Sequence, residues 1–165
     1  MEDNSKDFII SELNVASKEK VKRIVDIWEE VINWHSEFDD DFELEREGRS
    51  NFAFMISKAV HDSTQRVYIA QKKEKIIGFL FGYVKTHSGF FRKRIIAHIS
   101  DIAVDSINRG TGVGTALMQK FEADFAKSNE AEEISLYVHS QNERGVSFYQ
   151  RLGFKVKLLS MRKKI

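Results

Sequence analysis
Residues 108–118 read NRGTGVGTALM, with glycine at every second position from Gly110 through Gly112 to Gly114. Each glycine removes a β-carbon, which lets a ligand approach the main chain. A helix is expected to start here, because Val113, Leu117, Phe121 and Phe125 recur at spacing four. The first turn of a helix leaves its N–H groups without intrahelical acceptors, and those donors together with the helix dipole attract an anion. Arg109 adds a full positive charge at the entrance. The combination is that of a phosphate or pyrophosphate cradle at a strand–loop–helix junction. A tight turn with a glycine-rich helix start and no ligand is the plainer alternative. Two other phosphate loops fit poorly. The G-x-x-x-x-G-K-[ST] pattern is absent, and the spacing is not the G-x-G-x-x-G that opens a dinucleotide fold.

Outward from the loop, RIIAHISDIAV (94–104) reads as the strand that feeds it. Two more strands precede it, RVYIAQ (66–71) and IIGFLFGYVK (76–85), joined by the polar turn KKEK. These three are expected to be antiparallel neighbours. Earlier still, FIISEL (8–13) reads as a first strand. Ser17 can cap a helix with the apolar stripe Val21, Ile24, Val25, Trp28, Val31 and Ile32. Phe52, Met55, Ile56, Ala59 and Val60 mark a shorter second helix, and HSEFDDDFELEREG between the two reads as a loop. Beyond the glycines, EISLYVH (133–139) is expected as a strand and NERGVSFYQRL (142–152) as a helix stopped by Gly153. FKVKLL and SMRKKI then form one bent strand or two short ones. The order is β-α-α-β-β-β-α-β-α-β, an α/β or α+β class with one mixed sheet.

The 165 residues suit one domain, 1–165, with a real core to which thirteen phenylalanines contribute. Net charge is +1, so no bulk electrostatic attraction to nucleic acid or an anionic membrane is expected. No apolar run approaches the roughly 18 residues of a membrane span. The absence of cysteine removes disulfides, thiolate metal sites and a cysteine nucleophile, and fits a cytoplasmic protein. His35, His61, His87 and His139 lack metal spacing and read as surface or loop residues, so no metal is expected. FFRKR (90–94) reads as a hairpin cap, and Lys155, Lys157, Arg162, Lys163 and Lys164 as a strand edge protected by charge.

Arg109-x-x-Gly112-x-Gly114 matches the [RQ]-x-x-G-x-[GA] signature of the GNAT superfamily of N-acetyltransferases. NERGVSFYQRLGF similarly resembles that family's N-x-x-A-x-x-F-Y-x-x-x-G-F segment, with Asn142, Phe148, Tyr149, Gly153 and Phe154 in register. The resemblance is specific over residues 94–155; before residue 60 only the β-α-α order agrees. It implies a mostly antiparallel sheet of six to seven strands flanked by about four helices, and acetyl-CoA as co-substrate for direct transfer to an amine. By the same resemblance, main-chain N–H groups of Arg109, Gly110, Thr111, Gly112, Val113, Gly114 and Thr115 hold the pyrophosphate. Ile102, Ala103 and Val104 pair with the pantetheine arm, as an added strand does. Asn142 hydrogen-bonds that arm, and Tyr149 protonates the departing thiolate; packing is the plainer reading of this tyrosine.

Many relatives carry Glu where this chain has Ser100, so the general base is left open. His98 shares the face of Ser100 if alternation holds, and its ordinary pKa suits neutral pH. A packed histidine, or a water chain without a residue base, are the alternatives. Asp101 alternates to the other face unless a bulge intervenes. From Glu37 to Glu47 the chain holds seven acids and one arginine. This is either a solvated loop or an acidic mouth in which Glu37, Asp39, Asp40 or Asp41 attracts a cationic small-molecule amine. A protein N-terminal or lysine acetyltransferase, a non-catalytic acyl-CoA binding module and a nucleotide-binding protein are the rivals. Dimerisation is common in the family, and the sequence identifies no interface.

Overall fold
The first strand of the computed structural model is β1 (Ile9–Glu12), and residues 7–87, 89, 90 and 92–165 are described. Helix α1 (Lys18–Ser36) follows, with Ser17 Oγ accepting the Lys20 N–H as its cap. A single 3₁₀ turn (Asp40–Phe42) then leads to α2 (Gly48–Ala59). Strands β2 (Gln65–Lys72), β3 (Lys75–His87) and β4 (Arg94–Val104) come next. Phe91 of the FFRKR cluster lies outside the described residues. The chain closes with α3 (Val113–Lys120), prolonged through Ala126 by a π-helical turn, then β5 (Glu133–Leu136) and α4 (Glu143–Arg151).

The strands form one sheet in the order β1-β2-β3-β4-β5. All neighbours are antiparallel except β4 and β5, which run parallel. Helices α1 and α2 cover one face. There Ile24, Ile27, Phe52 and Ile56 pack on Phe79 and Phe81, and Trp28 stacks on Phe52 with centroids 4.1 Å apart. Helix α3 covers the other face, where Leu117, Phe121 and Phe125 meet Tyr68, Leu80 and Ile99. The spacing-four stripe expected for α3 is therefore its buried face.

The sheet has five strands among the described residues, which corrects the expected six or seven. Residues 154–165 form no strand, and β5 stops at Leu136 rather than His139. Alternating residues such as Val156 and Leu158 favour an extended chain, but a strand is made by its ladder. From Lys155 onward this segment makes no main-chain hydrogen bond among the described residues. Side-chain pairs hold it instead: Lys157 with Glu133 at 3.0 Å, Lys164 with Asp40 at 3.1 Å, and Arg162 with Asp41.

One irregularity organises the centre. The register of β4 against β3 shifts between Phe81 and Gly82: Gly82 faces Ile99, Phe81 faces Asp101, and Ser100 is the extra residue. This β-bulge breaks alternation. His98 opposite Tyr83 and Asp101 opposite Phe81 consequently both point toward the α1 face. Past the bulge β4 also loses its second neighbour, since its pairing with β5 runs only from Ile96 to Ile99.

Candidate active site
Gly110 and Gly112 adopt φ of +80° and +87°, a left-handed conformation that disfavours a side chain, and a β-carbon at either would meet nothing within 4 Å. Gly112 is also the N-cap of α3. Among the described residues, no main-chain N–H from Gly110 through Thr111, Gly112, Val113 and Gly114 to Thr115 finds an acceptor. The first intrahelical bond is Ala116 N–H to Gly112 C=O, at 3.0 Å. Six consecutive donors thus stand beside open space at the positive end of a helix, a set suited to a pyrophosphate.

Gly114 serves differently from its neighbours. A β-carbon there would stand 3.3 Å from the Phe148 ring, so its bareness lets α4 pack against α3. The Arg109 guanidinium does not turn to the cradle. Its Nε donates to the Val104 carbonyl at 3.0 Å and its Nη2 meets Glu30 at 2.7 Å, which braces the end of β4 against α1.

The loop between β4 and α3 is fixed by residues the sequence reading missed. Buried Asp105 accepts from the main-chain and side-chain nitrogens of Asn108, at 3.1 and 2.6 Å, and from Arg23 Nη2 at 2.6 Å. Arg23 Nε also donates to the Ile76 carbonyl at 2.9 Å. An aspartate three residues before an asparagine is the local turn signal that could have found Asp105; nothing local points to Arg23.

Beyond the bulge, Ile102, Ala103 and Val104 pair with β3 alone among the described residues. Asn142 caps α4, with Oδ1 accepting the Gly145 N–H at 2.8 Å, and its Nδ2 stands 3.5 Å from His35 Nε2. Tyr149 on α4 is half-buried. Burial first, and the charge of Asp101 second, push its phenol up to about 12. Asp101 accepts from Trp28 Nε1 at 3.2 Å and from the Ser100 hydroxyl at 2.7 Å. Burial holds its carboxyl above the ordinary range, and these two hydrogen bonds offset part of the rise.

His98 is only 4% exposed. Its Nδ1 is 2.9 Å from Ser135 Oγ and 3.4 Å from Lys85 Nζ, and the rings of Tyr83 and Tyr137 each lie 5.1 Å away. Burial, then the Lys85 charge, push it down to about 4. His35 is not the surface or loop residue expected, whereas His139 lies in the loop between β5 and α4. His35 is buried on α1, where its Nδ1 donates to the Val31 carbonyl. His139 Nε2 meets Asp39 at 3.0 Å and so ties the acidic loop to the β5–α4 junction. Rings of His35 and Phe42 stack beside it at 4.9 Å, and Phe38 leans on His139 at 5.1 Å. Glu37 is the C-cap residue of α1.

The Acetyltransferase (GNAT) family profile matches residues 28–154. The chain is 32% identical over 95 residues to N-alpha-acetyltransferase 30 of Schizosaccharomyces pombe, covering 58% of this chain and 61% of that protein. It is 42% identical over 65 residues to an uncharacterized N-acetyltransferase of Methanocaldococcus jannaschii, covering 39% of this chain and 28% of that one. The chain therefore spans less than two thirds of the length of these curated relatives. Among solved structures, a tetramutant of the BH1408 protein from Bacillus halodurans superposes with a TM-score of 0.85 at 22% identity, over 95% of this chain and 99% of that one. An aminoglycoside acetyltransferase from an uncultured soil sample superposes at 0.69 and 18% identity, over 96% of each chain. At such identities these two likenesses are of fold. Among the described residues no helix is long and apolar enough to cross a membrane. With most of its length matched by the profile, and with the cradle and sheet described above, the chain belongs to the GNAT family of acetyltransferases.

Proposed function
We propose that the chain is an acetyl-CoA-dependent N-acetyltransferase that passes the acetyl group directly to a primary amine in a ternary complex. The row of six unpaired N–H donors from Gly110 to Thr115 carries this reading, because it fits the pyrophosphate of coenzyme A. The β5-side edge of β4 from Ile102 to Val104 offers main-chain groups for the pantetheine arm, and Asn142 Nδ2, 3.5 Å from His35 Nε2, is a further donor for it.

In the proposed reaction a neutral amine nitrogen attacks the thioester carbonyl. The N–C bond forms, the C–S bond breaks, the amine loses a proton and the sulfur gains one. Asp101 is the group best suited to take the amine proton, since burial raises its affinity for one. His98, the base expected from alternation, is the weaker candidate: a ring that protonates near pH 4 and already bonds Ser135 gives little driving force. Tyr149, whose phenol keeps its proton up to about pH 12, suits the donor to sulfur.

A cationic acceptor is supported by the acidic loop. Asp40 and Asp41 already engage an ammonium and a guanidinium of the chain itself, those of Lys164 and Arg162. The aromatic faces of Phe38 and Phe42 lie beside them and favour a cation further. A peptide N-terminus is the second reading, favoured by the similarity to N-alpha-acetyltransferases. Thiol release across polyamines, aminoglycosides, neutral amines and short peptides is the deciding measurement. The cationic reading expects charged amines to lead and Asp40→Asn with Asp41→Asn to remove the preference. Equal rates with neutral amines would sink it, and peptide-only turnover would favour the second reading. Coenzyme A binding without thiol release from any acceptor would leave only a binding module.

A further inference from the structure
Asn142 is held at both ends of its amide. Its Oδ1 accepts the Gly145 N–H at 2.8 Å, and its Nδ2 stands 3.5 Å from His35 Nε2. The direction of the second contact follows from the other ring nitrogen. His35 Nδ1 lies 2.8 Å from the Val31 carbonyl, which can only accept, so Nδ1 carries the hydrogen and Nε2 of the neutral ring offers a lone pair. One Asn142 N–H is therefore directed at that lone pair. The second, fixed in direction by the planar amide, meets no acceptor among the described residues. Gly145 makes room for this arrangement, since a β-carbon there would come within 2.7 Å of Asn142 Nδ2.

The His35 ring is itself fixed. It is buried on α1, stacks on Phe42 at 4.9 Å and 27°, and meets the edges of Trp34 at 4.9 Å and Phe38 at 5.5 Å. A second histidine ties the same two regions together. His139 Nδ1 accepts the Gln141 N–H at 3.2 Å, which leaves its Nε2–H to donate to Asp39 at 3.0 Å. Two imidazoles, each with its tautomer set by a main-chain partner, thus join the start of α4 to the end of α1 and the acidic loop after it. We propose, on the acetyl-CoA reading above, that His35 is a positioning residue whose Nε2 holds Asn142 so that the remaining Nδ2 hydrogen faces the pantetheine arm. The ring acts through Asn142 and makes no contact with the arm itself. A side chain held in its bound orientation before the ligand arrives loses less freedom on binding, and that difference appears as affinity for the arm alone.

Calorimetry on the full chain with two probes tests this. One is coenzyme A; the other is phosphoadenosine diphosphate, the half of coenzyme A that keeps the pyrophosphate and lacks the arm. His35→Phe keeps a ring to stack on Phe42 and removes both nitrogens. It should weaken coenzyme A roughly tenfold, about 1.4 kcal/mol, and leave the second probe unchanged. His35→Gln, whose amide has an acceptor as well as a donor, should recover most of that loss. With Asn142→Ala already in place, His35→Phe should cost nothing further. Equal losses for the two probes would make His35 a packing residue and overturn the proposal, as would a loss that persists beside Asn142→Ala. Nuclear magnetic resonance of the wild type decides the matter if His35→Phe does not fold. One Asn142 Nδ2 proton should exchange slowly with solvent and the other should shift on addition of coenzyme A; two protons that exchange alike and do not shift overturn the proposal. A wild type that binds both probes equally removes the arm contact, and with it the role of His35. A wild type that binds neither sinks the acetyl-CoA reading itself.

Discussion
The two halves of β4 belong to one strand and behave oppositely. From Ile96 to Ile99 it is paired with β3 on one side and β5 on the other, and all four residues are buried. From Asp101 to Val104 it keeps β3 and has no second strand among the described residues. The single inserted residue Ser100 divides them. The closed half spends its hydrogen bonds on the sheet, so changes there should move stability. In the open half one edge carries no ladder among the described residues, and the Asp101 carboxylate is held by the Trp28 and Ser100 side chains rather than by the sheet, so changes there or in the cradle it feeds should move binding and rate.

The largest effect is expected at the cradle. Gly112→Asp puts a carboxylate into the open space that φ of +87° leaves beside six N–H donors. Coenzyme A affinity by calorimetry should fall on the order of 10³-fold, about 4 kcal/mol, since the new charge occupies and repels the phosphate position. Gly112→Ala separates the causes. It carries the left-handed strain, roughly 1–2 kcal/mol of stability, without the charge, and should bind far better than the aspartate variant. Equal losses in the two would show that the cradle works through its shape alone.

Proton transfer comes next. Asp101→Asn keeps acceptors for Trp28 and Ser100 and removes the base, so kcat should drop on the order of 10³-fold with stability little changed. His98→Gln should leave kcat within about tenfold; the reverse ranking would return the base to the closed half. Tyr149→Phe should lower kcat on the order of 10²-fold while coenzyme A affinity stays put. Wild-type rate should show no alkaline limb from this phenol below pH of about 11, since its proton is held to about 12.

The cradle was legible in the sequence because glycine at 110 and 112, an arginine and a helical stripe are local signals. The bulge was not. One inserted residue turns Asp101 onto the face of His98, and no side chain near Ser100 announces it. The clamp that fixes the loop joins Arg23 to Asp105, 82 residues apart, a pairing that only the packed fold creates. FKVKLL and SMRKKI were read as one bent strand or two short ones and form none, because side-chain types alone do not supply the neighbour that must bond to a strand.

In the closed half, His98 should show itself through acid stability. Folding holds it neutral down to about pH 4, among Tyr83, Tyr137, Ser135 and Lys85, whereas the unfolded ring protonates near 6.5. Between those values the unfolded chain binds more protons, so this contribution falls as pH drops from about 6.5 to about 4, by about 3 kcal/mol in all. Denaturant unfolding of wild type and His98→Gln at pH 7 and 4.5 should converge as the pH drops. Parallel loss in both would mean that other groups carry the acid sensitivity.

The smallest effect tests the hinge between the halves. Gly82 lies opposite Ile99, next to the bulge, and a β-carbon there would come within 2.6 Å of the Phe121 ring and 2.7 Å of the His98 carbonyl. The carbonyl belongs to the ladder and cannot retreat, so Phe121 on α3 must shift from a fully buried seat. Gly82→Ala should therefore cost roughly 1–3 kcal/mol, against the stabilisation that Gly→Ala brings at an unstrained site. Phe121→Leu in the same chain should recover part of that loss, because the smaller side chain vacates the contact. If Gly82→Ala leaves stability intact and lowers kcat instead, the bulge is transmitting strain into the open half, and the division of β4 into a structural and a functional segment fails at its own boundary.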